Sequence, residues 1–192
     1  MKYRDHAEIL PLLEGAGESW AHVKDDDTRH ELRTTLAFGF AEINGASALL
    51  QWLVRGHGEG RPIFALLNEA ARDIDEDGQR LTALAELLAR SEGAAMPSSN
   101  YHAYAEILPE LDGFAFTGKP LPPEHRDRLD MTLTLATMEA NGAAALLEWL
   151  TREHAKGRPL NALLDAAFTQ IDDDGRHLQR LRAQLGGGHA KR

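Results

Sequence analysis

The chain has 192 residues, of which 43% are hydrophobic and 27% are charged, an ordinary composition for a globular protein. It contains no cysteine, so disulfide bonds and thiolate chemistry are excluded and the common structural zinc sites are disfavoured. The formal net charge is −9, and because a phosphate backbone is bound by clustered Lys and Arg, we expect no direct contact with nucleic acid.

The N-terminal sequence MKYRDHAEILPLL carries charges where a secretory leader needs an apolar run. No stretch approaches the roughly 18 consecutive apolar residues of a membrane-spanning helix. We therefore expect a cytoplasmic protein that does not contact a membrane. The charge is uneven, because residues 1–95 hold 10 Lys and Arg against 17 Asp and Glu, a net of −7, which leaves −2 for the remainder.

In chain order, the first predicted helix covers residues 5–13, with Asp5 as its N-cap and Glu8 completing a capping box. A connector follows at residues 14–27. It contains Trp20, whereas the corresponding connector in the second half contains Phe114 and Phe116. Loops diverge readily, but unlike aromatic residues in loops of two similar halves are also suited to separate binding specificities.

A long helix is predicted at residues 28–43, because Asn44-Gly45 is suited to a left-handed C-terminal cap. The next helix covers residues 46–55, where apolar residues at positions i, i+3, i+4 and i+7 predict one buried face. The second half repeats the pattern, with a helix at residues 125–140 that ends at Asn141-Gly142.

Gly60-Arg61-Pro62 breaks the chain, and Pro62 is suited to open another helix. Asp77-Gly78 and Asp174-Gly175 are each predicted to turn into the last helix of their half. No segment alternates with a period of two, so no sheet is predicted. By composition, residues 91–100 form a linker and residues 186–192 a disordered tail.

The two halves are copies of one another. Residues 44–62 recur at residues 141–159, and pairing positions 28–88 with 125–185 at an offset of 97 matches 29 of 61. A repeat of this length indicates one duplicated folding unit. We predict an all-α protein made of two homologous repeats of about five helices each, packed with pseudo-twofold symmetry. Repeat 1 covers residues 1–90 and repeat 2 residues 101–185.

Two motifs that usually bind ligands fail on inspection. Residues 73–78 begin like a calcium-binding loop, but the position that needs a bidentate carboxylate is Leu84, so we predict no metal and an acidic cap for the final helix. Residues 113–119 match a phosphate-binding loop, but Pro120 replaces the Ser or Thr that binds magnesium. We predict no cofactor.

Residues 66–84, LLNEAARDIDEDGQRLTAL, faintly resemble an ankyrin repeat, which implies an ankyrin-like stack of helices. The TPLH sequence of that family is absent, and the repeat offset is 97, not the ankyrin period of 33. We therefore assign no family from the sequence.

The strongest motif, W-L-x-R-x-H-x-x-G-R-P, occurs in both copies. Trp52 lies three residues from Arg55, so the indole and the guanidinium are predicted to stack, and Trp and Arg are enriched at binding hot spots. In the structural alternative, Trp seals a groove between helices and Arg pairs with an acidic neighbour such as Glu42 or Glu139. The predicted partner-binding residues are Trp52, Arg55, His57, Arg61, Trp149, Arg152, His154, Arg158, Trp20, Phe114 and Phe116.

The sequence favours a non-catalytic protein-interaction module, meaning an adaptor, regulator or inhibitor that binds a protein partner through the duplicated Trp/Arg/His motif. Two alternatives stay open. One is a small-molecule-binding or enzymatic helical domain with a site between the repeats around Glu42 and Glu139. The other is an acidic inhibitor of a basic nucleic-acid-binding protein, which would bind mainly through the more acidic first half.

Overall fold

The computed structural model describes residues 2–14, 20, 22–90, 104–109 and 123–186, and these residues are all-helical. No strand occurs among them, which confirms the predicted all-α class. In the described ranges, no helix is long and apolar enough to cross a membrane. The elements are a 3-10 helix at Tyr3–His6 and five α-helices: α1 Leu10–Glu14, α2 Asp26–Gly58, α3 Ile63–Arg90, α4 Pro123–Ala155 and α5 Leu160–Gly186.

The long helix α2 begins and ends at recognisable signals. The Asp25 carboxylate accepts a hydrogen bond from the backbone N–H of Thr28 at 2.8 Å, which satisfies a free donor of the first turn. After α2 and α4 the chain passes through Gly60 and Gly157, with φ of 83° and 86°, a left-handed conformation that glycine adopts without strain. The predicted break at Gly60-Arg61-Pro62 is confirmed.

Asn44-Gly45 does not end a helix, so the predicted separation of residues 28–43 from residues 46–55 is wrong. Helix α2 continues through this position, as α4 continues through Asn141-Gly142. The glycines serve a close helix crossing instead. A Cβ on Gly45 would lie 1.7 Å from the Glu139 carbonyl oxygen, and one on Gly142 would lie 1.8 Å from that of Glu42. Only glycine fits at such a distance.

Asp77-Gly78 and Asp174-Gly175 also lie inside continuous helices, α3 and α5, so the predicted turns and the acidic helix cap are wrong. The ankyrin-like segment therefore forms one helix without a turn. A glycine inside a helix costs about 1 kcal/mol relative to alanine, and burial of the apolar helix face offsets that cost. Asp174 is 3% exposed and pairs with Arg4 at 2.8 Å, so this carboxylate anchors the N-terminal segment on α5.

The predicted first helix is split. Its N-terminal part is the 3-10 helix at Tyr3–His6, where the Asp5 carboxylate accepts a hydrogen bond from the Lys2 backbone N–H at 2.7 Å. Helix α1 starts only at Leu10. Glu8 does not complete a capping box there, because the free N–H groups at the start of α1 bind a side chain from α2, described below.

The helices of the two halves exchange partners. Helix α2 crosses α4, while α3 packs mainly on α4 and α5 packs mainly on α2. The buried apolar side chains form one core cluster with members from both halves. Each half therefore packs against the other more than against itself. The prediction of about five helices per half does not hold for the described residues, because predicted neighbours merge into long continuous helices such as α2 and α3. Six leucines at corresponding positions of the repeat are fully buried in this core: Leu49, Leu53 and Leu66, with Leu146, Leu150 and Leu163.

The predicted linker at residues 91–100 lies outside the described residues, as does the predicted tail after Gly186.

Candidate functional site

The two tryptophans of the duplicated motif are core residues. Trp52 is 7% exposed and Trp149 is 1% exposed. The Arg61 guanidinium lies 5.6 Å from the centre of the Trp52 ring, and Arg158 lies 5.9 Å from Trp149. The predicted stack of Trp52 on Arg55 is therefore wrong, because the chain reverses at Gly60 and brings the later arginine back over the ring.

The arginines of the motif form local ion pairs. Arg55 pairs with Glu59 at 3.0 Å and donates a hydrogen bond to the Tyr104 hydroxyl at 2.9 Å. Arg152 pairs with Glu148 at 3.1 Å. Neither arginine binds Glu42 or Glu139, so that predicted pairing is wrong.

The remaining two arginines hold the helix ends. Arg61 pairs with Glu69 of α3, and Arg158 pairs with Glu153 at 3.0 Å. Each guanidinium therefore covers an indole on one side and bonds a carboxylate on the other. His57 is exposed at the end of α2.

Glu42 and Glu139 are fully buried, and each binds the start of a short helical segment. The Glu42 carboxylate accepts hydrogen bonds from the backbone N–H groups of residues 8–10 at 2.8 to 3.0 Å. Glu139 does the same for residues 106–108 at 2.9 to 3.0 Å. A carboxylate suits this place because the free N–H groups and the helix dipole favour negative charge.

Burial raises the pKa of Glu42 above its ordinary value, and the backbone N–H groups of residues 8–10 oppose that increase. Burial likewise raises the pKa of Glu139, against hydrogen bonds from residues 106–108. Both oxygens of each carboxylate are occupied by the backbone, so the pair does not present a free acid and base to a shared site. The structure assigns them to holding the short segments in place.

Two asparagines complete this centre by bonding across the halves. The Asn44 side chain donates to the Glu106 carboxylate at 2.6 Å, and Asn141 donates to Glu8 at 2.9 Å. The sequence Glu-x-Asn-Gly occurs at residues 42–45 and again at residues 139–142. This identity between the copies is the signal by which the sequence indicates that these residues matter. Their role could not be found from spacing alone, because the bonded partners lie 62 and 133 residues away.

An open apolar groove of about 520 Å³ lies between α3 and α4. Glu148 and Arg152 line its polar edge. At the nearby end of α4, the His154 ring lies 5.4 Å from the ring of Phe64, a side chain that is 64% exposed. Of the predicted partner-binding residues, Arg152 and His154 are thus accessible beside an apolar surface. The apolar lining consists of Ala71, Ile74, Ala144, Leu147, Thr151 and Ala155.

Of the three aromatic residues predicted to bind from the connectors, only Trp20 lies among the described residues. Trp20 is 8% exposed and belongs to the core cluster, so it is not an accessible binding residue. Phe114 and Phe116 lie outside the described residues. In the described ranges, no three His, Asp or Glu side chains come together in a group that could hold a metal ion.

Comparison of the chain with protein-family models, with curated proteins and with solved structures finds no match.

Proposed function

We propose that this protein is a non-catalytic interaction module that binds an amphipathic helix of a partner protein in the groove between α3 and α4. The observation that supports the proposal is the open apolar groove beside the exposed ring of Phe64. Exposed apolar surface of this kind is typical of interaction sites, and helices commonly bind in such grooves through apolar residues spaced i, i+3, i+4 and i+7.

The size of the groove suits a short helix. Its lining runs along α4 from Ala144 to Ala155, and 11 residues at 1.5 Å each correspond to roughly 16 Å, about three turns. A partner helix of three turns or more would place two or three apolar side chains in the groove.

Charge beside the groove favours a basic partner. Asp75 is exposed on α3 next to the lining residue Ile74 and adds negative charge there. The other two acidic residues beside the groove already pair with arginines, Glu76 with Arg72 at 3.9 Å and Glu148 with Arg152 at 3.1 Å. The whole chain carries a net charge of −9. Lys and Arg flanking the apolar face of the partner would find complementary charge here and would associate faster at low salt.

We also propose that the two halves descend from one duplicated module and pack about a pseudo-twofold axis. Three reciprocal contacts support this: the glycine crossings, the asparagine bonds to Glu106 and Glu8, and the exchanged packing of α3 and α5. The groove differs between the copies, because Phe168 stands at the position that corresponds to Ala71. We therefore place the partner site between α3 and α4 alone, in a protein that we expect to be cytoplasmic.

The test fills the groove without removing core contacts. Ala71→Trp places an indole in the groove, while Ala65→Trp places the same side chain on an exposed part of α3 that does not line it. Partners captured from native lysate by the three proteins are identified by mass spectrometry. The binding segment of each is then measured by fluorescence anisotropy at 50 and 300 mM salt.

We expect at least a tenfold weaker Kd for Ala71→Trp and an unchanged Kd for Ala65→Trp, with weaker binding at high salt. A captured partner whose Kd is the same for all three proteins binds elsewhere and refutes the proposed site. A partner segment that is acidic, or that binds more tightly at high salt, contradicts the charge argument.

A further inference from the structure

A second cleft, of about 720 Å³, lies between the halves on another side of the molecule. Its walls come from α2, from residues 106–107, from α4 and from the end of α5. The volume is within the range of roughly 300 to 1,000 Å³ that is usual for sites of small molecules. The lining is mostly apolar and includes Leu36, Phe40, Ile107, Leu135 and Leu185.

Two arginines, Arg33 and Arg182, line the same cleft. Both are exposed, and neither forms an ion pair with any residue that the structure describes. The arginines of the duplicated motif, in contrast, each pair with a carboxylate. Two guanidinium groups without an ion pair among the described residues, both beside the same apolar wall, are available to bind an anion.

The two arginines lie at the same level of the cleft. Helix α5 runs antiparallel to α2, because Arg29 donates to the Leu185 carbonyl and a Cβ on Gly39 would lie 3.2 Å from Leu178. Arg33 is one turn after Arg29, and Arg182 is about one turn before Leu185. Their side chains therefore converge on one end of the cleft.

The other end of the cleft is formed by Asn44 and Glu106, which hydrogen-bond to each other. From Arg33 to Asn44 the distance along α2 is 11 residues, or roughly 16 Å. The Glu106 carboxylate would repel a second anion there. The cleft is thus cationic at one end, apolar along its length and unsuited to negative charge at the other end.

Neither arginine of the cleft has a counterpart at the corresponding position of the other repeat. At the offset of 97, Arg33 aligns with Asp130 and Arg182 aligns with Ala85, while Leu36, Asn44 and Leu185 align with identical residues. Both cationic positions therefore differ between the copies. The apolar positions are retained only in part, since Phe40 aligns with Thr137 and Leu135 with Phe38. Loss of both cationic positions and of the Phe40 side chain is expected if a ligand binds beside Arg33 and Arg182 and not at the corresponding positions.

We propose that this cleft binds an amphipathic carboxylate, with the carboxylate held by Arg33 and Arg182 and an aliphatic chain packed along Leu36, Phe40 and Leu135. Guanidinium groups bind carboxylates through paired, charge-assisted hydrogen bonds, and this geometry distinguishes arginine from lysine. The aliphatic chain covers apolar surface that is otherwise open to water. This binding is independent of the groove between α3 and α4.

The test is isothermal titration calorimetry of the full chain with decanoate, kept below its critical micelle concentration, and with decanol as a neutral analogue. We expect decanoate to bind with a stoichiometry of one, and decanol at least tenfold more weakly. The double variant Arg33→Gln/Arg182→Gln should bind decanoate at least tenfold more weakly than the natural protein. Arg180→Gln changes an exposed arginine of α5 that does not line the cleft and should leave the Kd unchanged.

Three results would overturn the proposal: no saturable binding of decanoate, equal binding of decanol, or an unchanged Kd in the double variant. A stoichiometry of two would also overturn it, because Asp130 and Ala85 stand at the positions that correspond to Arg33 and Arg182. Far-UV circular dichroism of each variant checks the helix content. Both arginines are exposed, so the variants are expected to fold.

Discussion

Replacing Glu42 by Gln tests the buried capping centre most directly. The carboxylate accepts hydrogen bonds from three backbone N–H groups, at residues 8–10, through both of its oxygens. Gln keeps one oxygen and turns an NH₂ group toward the donor that the other oxygen had bound. Because the Ile9 N–H bonds both carboxylate oxygens, one buried N–H group, that of Glu8 or of Leu10, is left unsatisfied. Each unsatisfied donor costs roughly 1 to 3 kcal/mol.

Part of this loss is offset. Burial raises the pKa of Glu42, which means that the ionised group is desolvated in the folded protein, and Gln removes that charge. We therefore expect Glu42→Gln to lower the free energy of unfolding by about 1.5 kcal/mol, in the lower half of the range for one unsatisfied donor.

Urea denaturation followed by far-UV circular dichroism measures this free energy, and amide hydrogen exchange shows where the structure loosens. Protection should fall first at Glu8 or at Leu10, whichever N–H group loses its acceptor. Glu31→Gln, which changes an exposed glutamate of the same helix, is the matched control and should have no effect. A loss below about 0.5 kcal/mol for Glu42→Gln, the size of an ordinary surface substitution, would refute the reasoning.

Two other predictions concern the same centre. Gly45→Ala or Gly142→Ala should destabilise the protein by at least about 3 kcal/mol, because the added Cβ overlaps a carbonyl oxygen and the helices must separate. Gly78→Ala, with open space around the new Cβ, should instead stabilise it by about 0.5 to 1 kcal/mol in the same urea denaturation assay. Equal effects at Gly45 and Gly78 would contradict the close crossing. Because burial raises the pKa of Glu42 and Glu139 above the ordinary 4.5, the folded protein binds more protons than the unfolded chain just above that pH. The stability that the two carboxyl groups contribute is full below pH 4.5 and is lost as the pH rises through their pKa values in the folded protein. Carboxyl-carbon NMR titrations should therefore give pKa values above 4.5 for Glu42 and Glu139. Measured pKa values below 4.5 would show that the predicted direction of the pH dependence is wrong.

The all-α class could be predicted from the sequence because helical periodicity and the glycine-proline breaks are local signals. The break at Gly60 was found for that reason, since a left-handed glycine followed by proline ends a helix wherever it occurs. The same local logic failed at Asn44-Gly45 and Asp77-Gly78. At Gly45 the close approach of a distant helix requires glycine, and at Gly78 the continuous helix tolerates it. Neither cause can be recognised from the neighbouring residues in the sequence.

The site was harder to predict than the fold. The repeat drew attention to Trp52, Arg61 and Glu42, but identity between the copies does not distinguish a residue that binds a partner from one that packs in the core. The structure gives all three an internal role. The two arginines of the proposed carboxylate cleft could not be found from the repeat. Arg33 and Arg182 differ between the copies, and a repeat marks only the residues that the copies share.

The exchange of α3 and α5 between the halves has a consequence for how the molecule comes apart. If one half unfolded alone, the long helix of the other half would lose the helix that packs on it, because α3 packs mainly on α4 and α5 on α2. Unfolding of either half alone would therefore expose apolar surface in both halves. Denaturation should accordingly follow a single sharp transition with coincident optical and exchange probes. A substitution of a core leucine in one half should therefore also lower the stability of the helices in the other half.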